Sequence, residues 1–500
     1  MSSRTRIALL VAPLLVLCVC AAPAFSSDAR PRATSAAKAA FTIGGVATGR
    51  AIPGGFVGLS MEYPAVQAYA GEDPAAVDPV FEQLIRNLAP GQRPVLRIGG
   101  DTTDWTWWPI PAVARPPWVR YELTSNWLEV ADRLATDLSA RLIPSINLEA
   151  NSKEVARAEE AALVAGLGSG SIEAFELGNE PELYGSFAWY YTASGKRVTG
   201  RPRSYDFAAY AKDFARIAAA LRNVALAGPS TGGPAWTRPI PKFVATQRDL
   251  GLVTVHRYGL DKCEASDPVP TIPALMSNDA QRGIARSVVG PTVAAHAHRI
   301  PLRIEELNAV SCGGQAGVSN TFAAALWALD TLFEAANVGV DGVNIHTRPQ
   351  GLNSLFTVHD DAGAWQAHVS PEYYGLMLFA QAVPPRSRLL KVSGVAGSRL
   401  HVWATRAPGG AEHVVLINED PSRARVVTLR IPAVDRAGML EMLAAPSLSA
   451  TDDVSLGGQG FGPETTTGRL AAARDELSLT PTHHRYTVRL PAASAALLTL

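Results

Sequence analysis

The chain is short of lysine, with seven in 500 residues, and its 45 basic and 45 acidic side chains cancel to a net charge of zero. A polyanion track wants a basic stripe, so this balance argues against nucleic acid as a partner. One segment is locally basic, "GKRVTGRPR" (195–203), and it reads either as a solvated surface loop or as a polyanion contact. Cysteine is also scarce, at four residues. Long apolar runs are missing beyond the first residues, so no membrane span is expected in the mature chain. No dinucleotide glycine fingerprint occurs: "RIGGDTTD" lacks both the spacing and a helix directly after it. No metal-ligand set is evident either. His296 and His298 are two apart in what reads as a helix and do not share a face, so neither a metal nor a cofactor is expected.

What is present begins with "MSSRTRIALLVAPLLVLCVCAAPAFSS", a basic start, an apolar stretch and small residues at Ala21, Ala22 and Ala24. This pattern is that of a secretory signal peptide over residues 1–26. Cys18 and Cys20 leave with it, and Cys263 and Cys312 remain in a secreted or periplasmic compartment that permits disulfides. An Ala-rich linker (27–40) and a strand-like "FTIGGVATGR" within 41–53 follow. Over 54–385, eight short apolar runs alternate with stretches of helical spacing. The runs are "FVGLSMEY", "PVLRIGG", "RLIPSINLE", "IEAFELGNE", "VALAGPS", "LVTVHRY", "PLRIEEL" and "VDGVNIHT". Strand–helix alternation repeated eight times is the pattern of a (β/α)8 TIM barrel. Over 386–500 the texture changes to short alternating strands such as "EHVVLINED" and "RYTVRLPA", which read as an appended all-β sandwich. The strand in 41–53 is a candidate to pair into it.

Barrels of this kind place chemistry at the carboxyl ends of their strands. Polar residues gather there: Glu62, Asp101 and Asp104, Glu149, Asn179 and Glu180, His256 and Tyr258, and Glu306. Two glutamates at the ends of strands four and seven suit glycosidic cleavage, one protonated to serve the leaving oxygen and one ionised to attack. Glu180 suits the acid, with Asn179 beside it to bind a sugar hydroxyl, and Glu306 the nucleophile. Period-two alternation puts Leu302, Ile304 and Glu306 on one face. If interior positions are apolar, that face points inward and Glu305 is a structural carboxylate paired with Arg303. Arg97 either keeps the nucleophile ionised or balances the buried Glu176. Cys263 and Cys312 lie on loops leaving neighbouring strands from the same face, within reach of a disulfide.

The segments "LRIGGDTTDW", "FELGNEP", "VTVHRYG", "RIEELNAVSCGG" and "NTFAAALWALD" resemble, in order, the motifs of glycoside hydrolase clan A, and more closely its family 79 of β-glucuronidases and heparanases. "SPEYYGLMLFA" continues the likeness to the junction with the β region. The resemblance implies a retaining hydrolase with Glu180 as acid/base and Glu306 as nucleophile, supported by Tyr258. It implies that backbone amides at Cys312 and Gly313 bind the uronate carboxylate, although Ser311 and Cys312 stand where the heparanase pattern has an aromatic and a glycine. Glu62, Asp101 and Asn179 are expected to contact substrate, with Arg97 and His256 supporting. The substrate is then a uronic-acid-containing glycan cleaved by an exo-acting β-glucuronidase. Alternative readings are an endo-acting heparanase-like enzyme, a clan A glycosidase for a neutral sugar, and a non-catalytic carbohydrate-binding protein on the same fold.

Overall fold

The structure is a computed structural model that describes residues 37–500 apart from 222–224, 362, 396, 398 and 472–474. The expected signal peptide, with Cys18 and Cys20, lies outside the described residues. No helix among them is long and apolar enough to cross a membrane.

Eight strands, Val57–Glu62, Val95–Gly99, Arg141–Ile146, Phe175–Leu177, Leu226–Thr231, Leu250–Leu260, Leu302–Val310 and Gly342–His346, close a parallel barrel in sequence order. They are called barrel strands one to eight below. Each overlaps one of the eight apolar runs, with Leu226–Thr231, Leu250–Leu260 and Leu302–Val310 extending past theirs. Several of the helices between them start where a side chain satisfies the free amides of the first turn. Thr124 accepts from Trp127 N at Ser125–Leu138, Ser152 from Val155 N at Lys153–Leu167, and Asp206 from Ala209 N at Phe207–Ala218. In Ser125–Leu138 the buried side chains Trp127, Leu128, Val130, Ala131, Leu134, Ala135 and Leu138 follow the three-and-four spacing of one helix face.

The barrel interior departs from the apolar expectation. Leu302 and Ile304 belong to the large core shared with the helices. Arg303 instead reaches inward to Asn344 Oδ1 and the carbonyl oxygen of Gly55. The face expected to point outward therefore points in. Glu306 reaches the rim by a different route, because strand seven carries one extra residue there. Ile304 pairs with Val255 and Glu306 with the very next residue, His256, while on the other flank the register also slips between Ile304 and Leu307. Such a bulge re-aims a side chain, and it lets Glu305 and Glu306, adjacent in sequence, both face the interior. Glu305 stays near Arg303, at 3.6 Å.

The β region is a ten-stranded sheet whose ladder runs continuously through Arg388–Gly394, Leu400–Arg406, Glu412–Asn418 and Ser494–Thr499. Ala37–Thr48 is part of it. Phe41 lies opposite Gly394 in an antiparallel pair and opposite Leu429 in a parallel one. The sheet encloses a core of its own, including Phe41, Leu416, Leu429, Val488 and Leu498. On the other face of the same strands, Val415, Ile417, Ala495 and Leu497 join the barrel's core. That contact explains why helix Phe322–Asn337 has no polar stripe: all residues from Phe322 to Ala336 are buried. Trp403 stacks on Phe333 with ring centroids 5.5 Å apart and donates to Asp330 Oδ1 at 2.7 Å. Beside it, His401 bridges Asp330 at 3.1 Å and Glu419 at 3.4 Å, all three buried.

The segment "GKRVTGRPR" is not solvated throughout. Its Lys196, Arg197 and Arg203 are exposed, but Arg201 is buried, donating to the carbonyl oxygens of Leu148 and Glu149 and to Asp213.

Candidate active site

At the carboxyl ends of the barrel strands lies a cavity of about 1530 Å³, lined among others by Glu62, Asp101, Asn179, Glu180, His256, Tyr258, Glu306, Cys312 and Gly313. The sequence-expected residues thus converge on one space, except Arg97, which sits directly beneath it and is fully buried.

Arg97 ties the floor together. Its Nη1 donates to Glu306 Oε1 at 2.6 Å, its Nε to Glu176 Oε2 at 2.8 Å and its Nη2 to Asn179 Oδ1 at 2.9 Å. Arg97 thus touches both carboxylates that its two readings named. Tyr258 Oη donates to the other oxygen of Glu306 at 2.7 Å. Burial pushes the Glu306 carboxyl up, but His346, His256, Arg97 and the Tyr258 hydrogen bond outweigh it and hold the group well below the usual carboxylate range. His346 is itself driven down to about 4 by burial, so it is neutral near pH 7. The cations that keep Glu306 ionised there are Arg97 and His256.

Glu180 is displaced the other way. It leaves strand four in the left-handed region, with φ 43°, and its amide donates to Ser230 O at 2.9 Å. Asp104 fixes this turn by accepting from Asn179 N, Leu148 N, Glu149 N and Tyr184 Oη. Burial pushes the Glu180 carboxyl up to about 7, opposed by His256 and reinforced by the charges of Glu306 and Glu182. His256 lies between the two glutamates, with Nδ1 3.0 Å from Glu180 Oε1 and 3.8 Å from Glu306 Oε2, and Nε2 3.0 Å from Ser230 Oγ. Burial disfavours its charge, yet Glu306 and Glu180 raise it to about 9. Carboxylate oxygens of Glu180 and Glu306 come within 4.8 Å of each other. Those two residues and His256 also have the donor types of a metal site. However, Arg97 and Tyr258 already engage both oxygens of Glu306, and the guanidinium would repel a cation.

On the opposite rim, Glu62 Oε2 accepts from Thr102 N at 2.8 Å and from Thr102 Oγ1. Burial and the charge of Asp101 push Glu62 up to about 7. Gly100 is required there: its φ is 78° and an added Cβ would stand 2.6 Å from the Glu62 carboxyl. Cys263 and Cys312 form a disulfide with Cα atoms 5.4 Å apart. Glu149, named at the rim from the sequence, also lines the cavity and is raised to about 9, chiefly by burial and then by Asp104.

Sequence reasoning missed His346 and Arg348, at and just beyond the end of strand eight, and the aromatic wall of Trp105, Trp189 and Tyr191. His346 was within reach, since it ends an apolar run as His256 does. The wall was not, because the short hairpin Tyr190–Tyr191 with Arg197–Val198 carries no periodic signal.

No family model matches the chain. It is similar to a β-glucuronidase of Aspergillus niger, 24% identical over 359 residues covering 65% of this chain and 64% of that protein. It is also similar to a β-glucuronidase of Neurospora crassa, 22% identical over 373 residues covering 66% and 64%. The matches thus span a little under two thirds of each relative. Among solved structures, a 4-O-α-L-rhamnosyl-β-D-glucuronidase from Fusarium oxysporum superposes with TM-score 0.71 at 19% identity, covering 92% of this chain and all of the other. An arabinofuranosidase from Xanthomonas axonopodis pv. citri superposes with TM-score 0.64 at 14% identity, covering 93% and 99%. These likenesses show the fold, a TIM barrel with a β-sheet domain.

Proposed function

We propose that the protein is a secreted glycoside hydrolase, specifically a retaining, exo-acting β-glucuronidase. The observation that carries the reading is the opposite displacement of two carboxyls facing each other at the ends of strands four and seven. Glu180 holds its proton up to about pH 7, while Glu306 is kept ionised by Arg97 and His256. Glu306 attacks the anomeric carbon as Glu180 protonates the departing oxygen. Water then displaces Glu306 from the glycosyl–enzyme, and Glu180 takes up the proton that water gives. A retaining pair stands roughly 5 to 5.5 Å apart, too close for the water an inverting pair must admit, and the oxygens here approach within 4.8 Å. The β-glucuronidase activity of the two fungal relatives and the rhamnosyl-β-D-glucuronidase activity of the Fusarium neighbour support glucuronic acid as the sugar. The near absence of lysine disfavours a long sulfated polymer and so favours exo action.

The test is hydrolysis of 4-nitrophenyl β-glucuronide against neutral 4-nitrophenyl glycosides, followed by NMR. Preference for the glucuronide with the β-anomer appearing first is the expected result. A neutral preference, or the α-anomer first, overturns the reading. Products from a glucuronide-capped polymer, monosaccharide or fragments, separate exo from endo action.

A further inference from the structure

A uronic acid entering this cavity meets carboxyls on nearly every side: Glu62 and Asp101 on one rim, Glu180 and Glu306 on the other. Its own carboxylate needs a positive counterpart. Most arginines that line the cavity are already engaged. Arg120 lies over the Trp105 ring and donates to Trp189 O, Arg197 donates to Ser186 O, and Arg257 donates to Gly232 O. Arg238 makes no side-chain hydrogen bond or ion pair among the described residues but stands on the strand-five side. Arg348, also cavity-lining and exposed, makes no side-chain hydrogen bond or ion pair among the described residues. Its charge opposes the rise that burial and Glu306 impose on the Asp101 carboxyl just after strand two, and adds to burial in lowering His346 at the end of strand eight.

The loop that carries Arg348 is built against the loop after the nucleophile. Gly351 N donates back to Arg348 O at 3.0 Å, Leu352 N donates to Gly313 O at 3.0 Å, and Asn353 Nδ2 reaches Val310 O. Cys312 and Gly313, whose N–H groups have no acceptor among the described residues, are thus held on the same side of the cavity as Arg348. We propose that Arg348 is a specificity-determining residue that binds the C5 carboxylate of the sugar, with the Cys312–Gly313 amides completing the anion site. A guanidinium offers that carboxylate a planar, two-pronged donor that no backbone amide can match. The assignment rests on the glucuronidase reading and names the side chain that imposes it.

Three enzymes decide it: wild type, Arg348→Gln and Arg348→Lys, each assayed on 4-nitrophenyl β-glucuronide and 4-nitrophenyl β-glucoside. Arg348→Gln should lower the glucuronide-to-glucoside ratio of kcat/KM about tenfold to a hundredfold, as expected for a lost charge-assisted pair. The loss should fall on KM for the glucuronide, and Arg348→Lys should restore part of it. A ratio unchanged by Arg348→Gln, in an enzyme whose wild type prefers the glucuronide, overturns the assignment alone. A wild type that prefers the glucoside overturns the glucuronidase reading and the assignment with it. General damage to the variant would lower both substrates together and leave the ratio unchanged, which also counts against the proposal.

Discussion

Arg97 has four acceptors, Glu176, Ser60, Glu306 and Asn179, and no exposure, so its removal is felt twice. Arg97→Met leaves Glu176 as an uncompensated buried carboxylate and removes one of the two cations on Glu306, and breaking such a pair costs about 3–5 kcal/mol of stability; chemical denaturation measures it. In the surviving folded enzyme the Glu306 carboxyl should rise, moving the acid limb of kcat/KM to higher pH. In the wild type, that limb should lie below the usual carboxylate range, because Glu306 must be ionised. The alkaline limb has the opposite sign. Glu180 must be protonated, so kcat/KM for substrates with poor leaving groups should be full below about 7 and fall as pH rises through it. Glu180→Ala should slow those substrates about 10²- to 10⁴-fold while affecting activated aryl glucuronides far less. Glu306→Ala should abolish turnover of both. Equal losses on both substrate types in Glu180→Ala would remove it from the acid role.

All eight barrel strands were legible because each is largely buried on both faces and reads as a short, mainly apolar run. Their direction was not. The rule that interiors are apolar assigned Leu302 and Ile304 inward, whereas this barrel places Arg97, Glu176, Arg303 and Glu305 in its interior. Glu306 reaches the rim although the premise that placed it there fails, because the one-residue bulge restores by geometry what strict alternation would have denied. The pairing of the two loop cysteines was legible, since neighbouring parallel strands must deliver their loops side by side. The Cys263–Cys312 bridge anchors the Cys312–Gly313 turn, whose residues have φ 51° and 82°. Reduction should therefore raise KM for glucuronides more than it lowers the unfolding midpoint. Two reactive thiols in the unfolded, unreduced protein would rule the bridge out.

The seam between barrel and sheet was invisible in the sequence, because Asp330, His401 and Glu419 lie on three separate elements. Burial works against a charged His401, but Asp330 and Glu419 carry it up to about 10. A histidine raised on folding stabilises fully below its unfolded value of about 6.5, and that contribution is lost as pH climbs toward about 10. The unfolding midpoint of the wild type should fall across that window. His401→Gln should start lower and change less with pH over the same range; an identical pH dependence in the two proteins would remove the triad from the seam's energetics.

The strand Ala37–Thr48 lies between Arg388–Gly394 and Arg425–Arg430, yet the whole barrel separates it from them along the chain. During synthesis it leaves the ribosome ahead of every barrel strand and finds both hydrogen-bonding neighbours only after the last barrel helix has emerged. Until then its Phe41 and Ile43 have no core to enter. On the ribosome this strand therefore waits unpaired while the barrel is made, and its capture can come only once Arg388–Gly394 and Arg425–Arg430 have emerged.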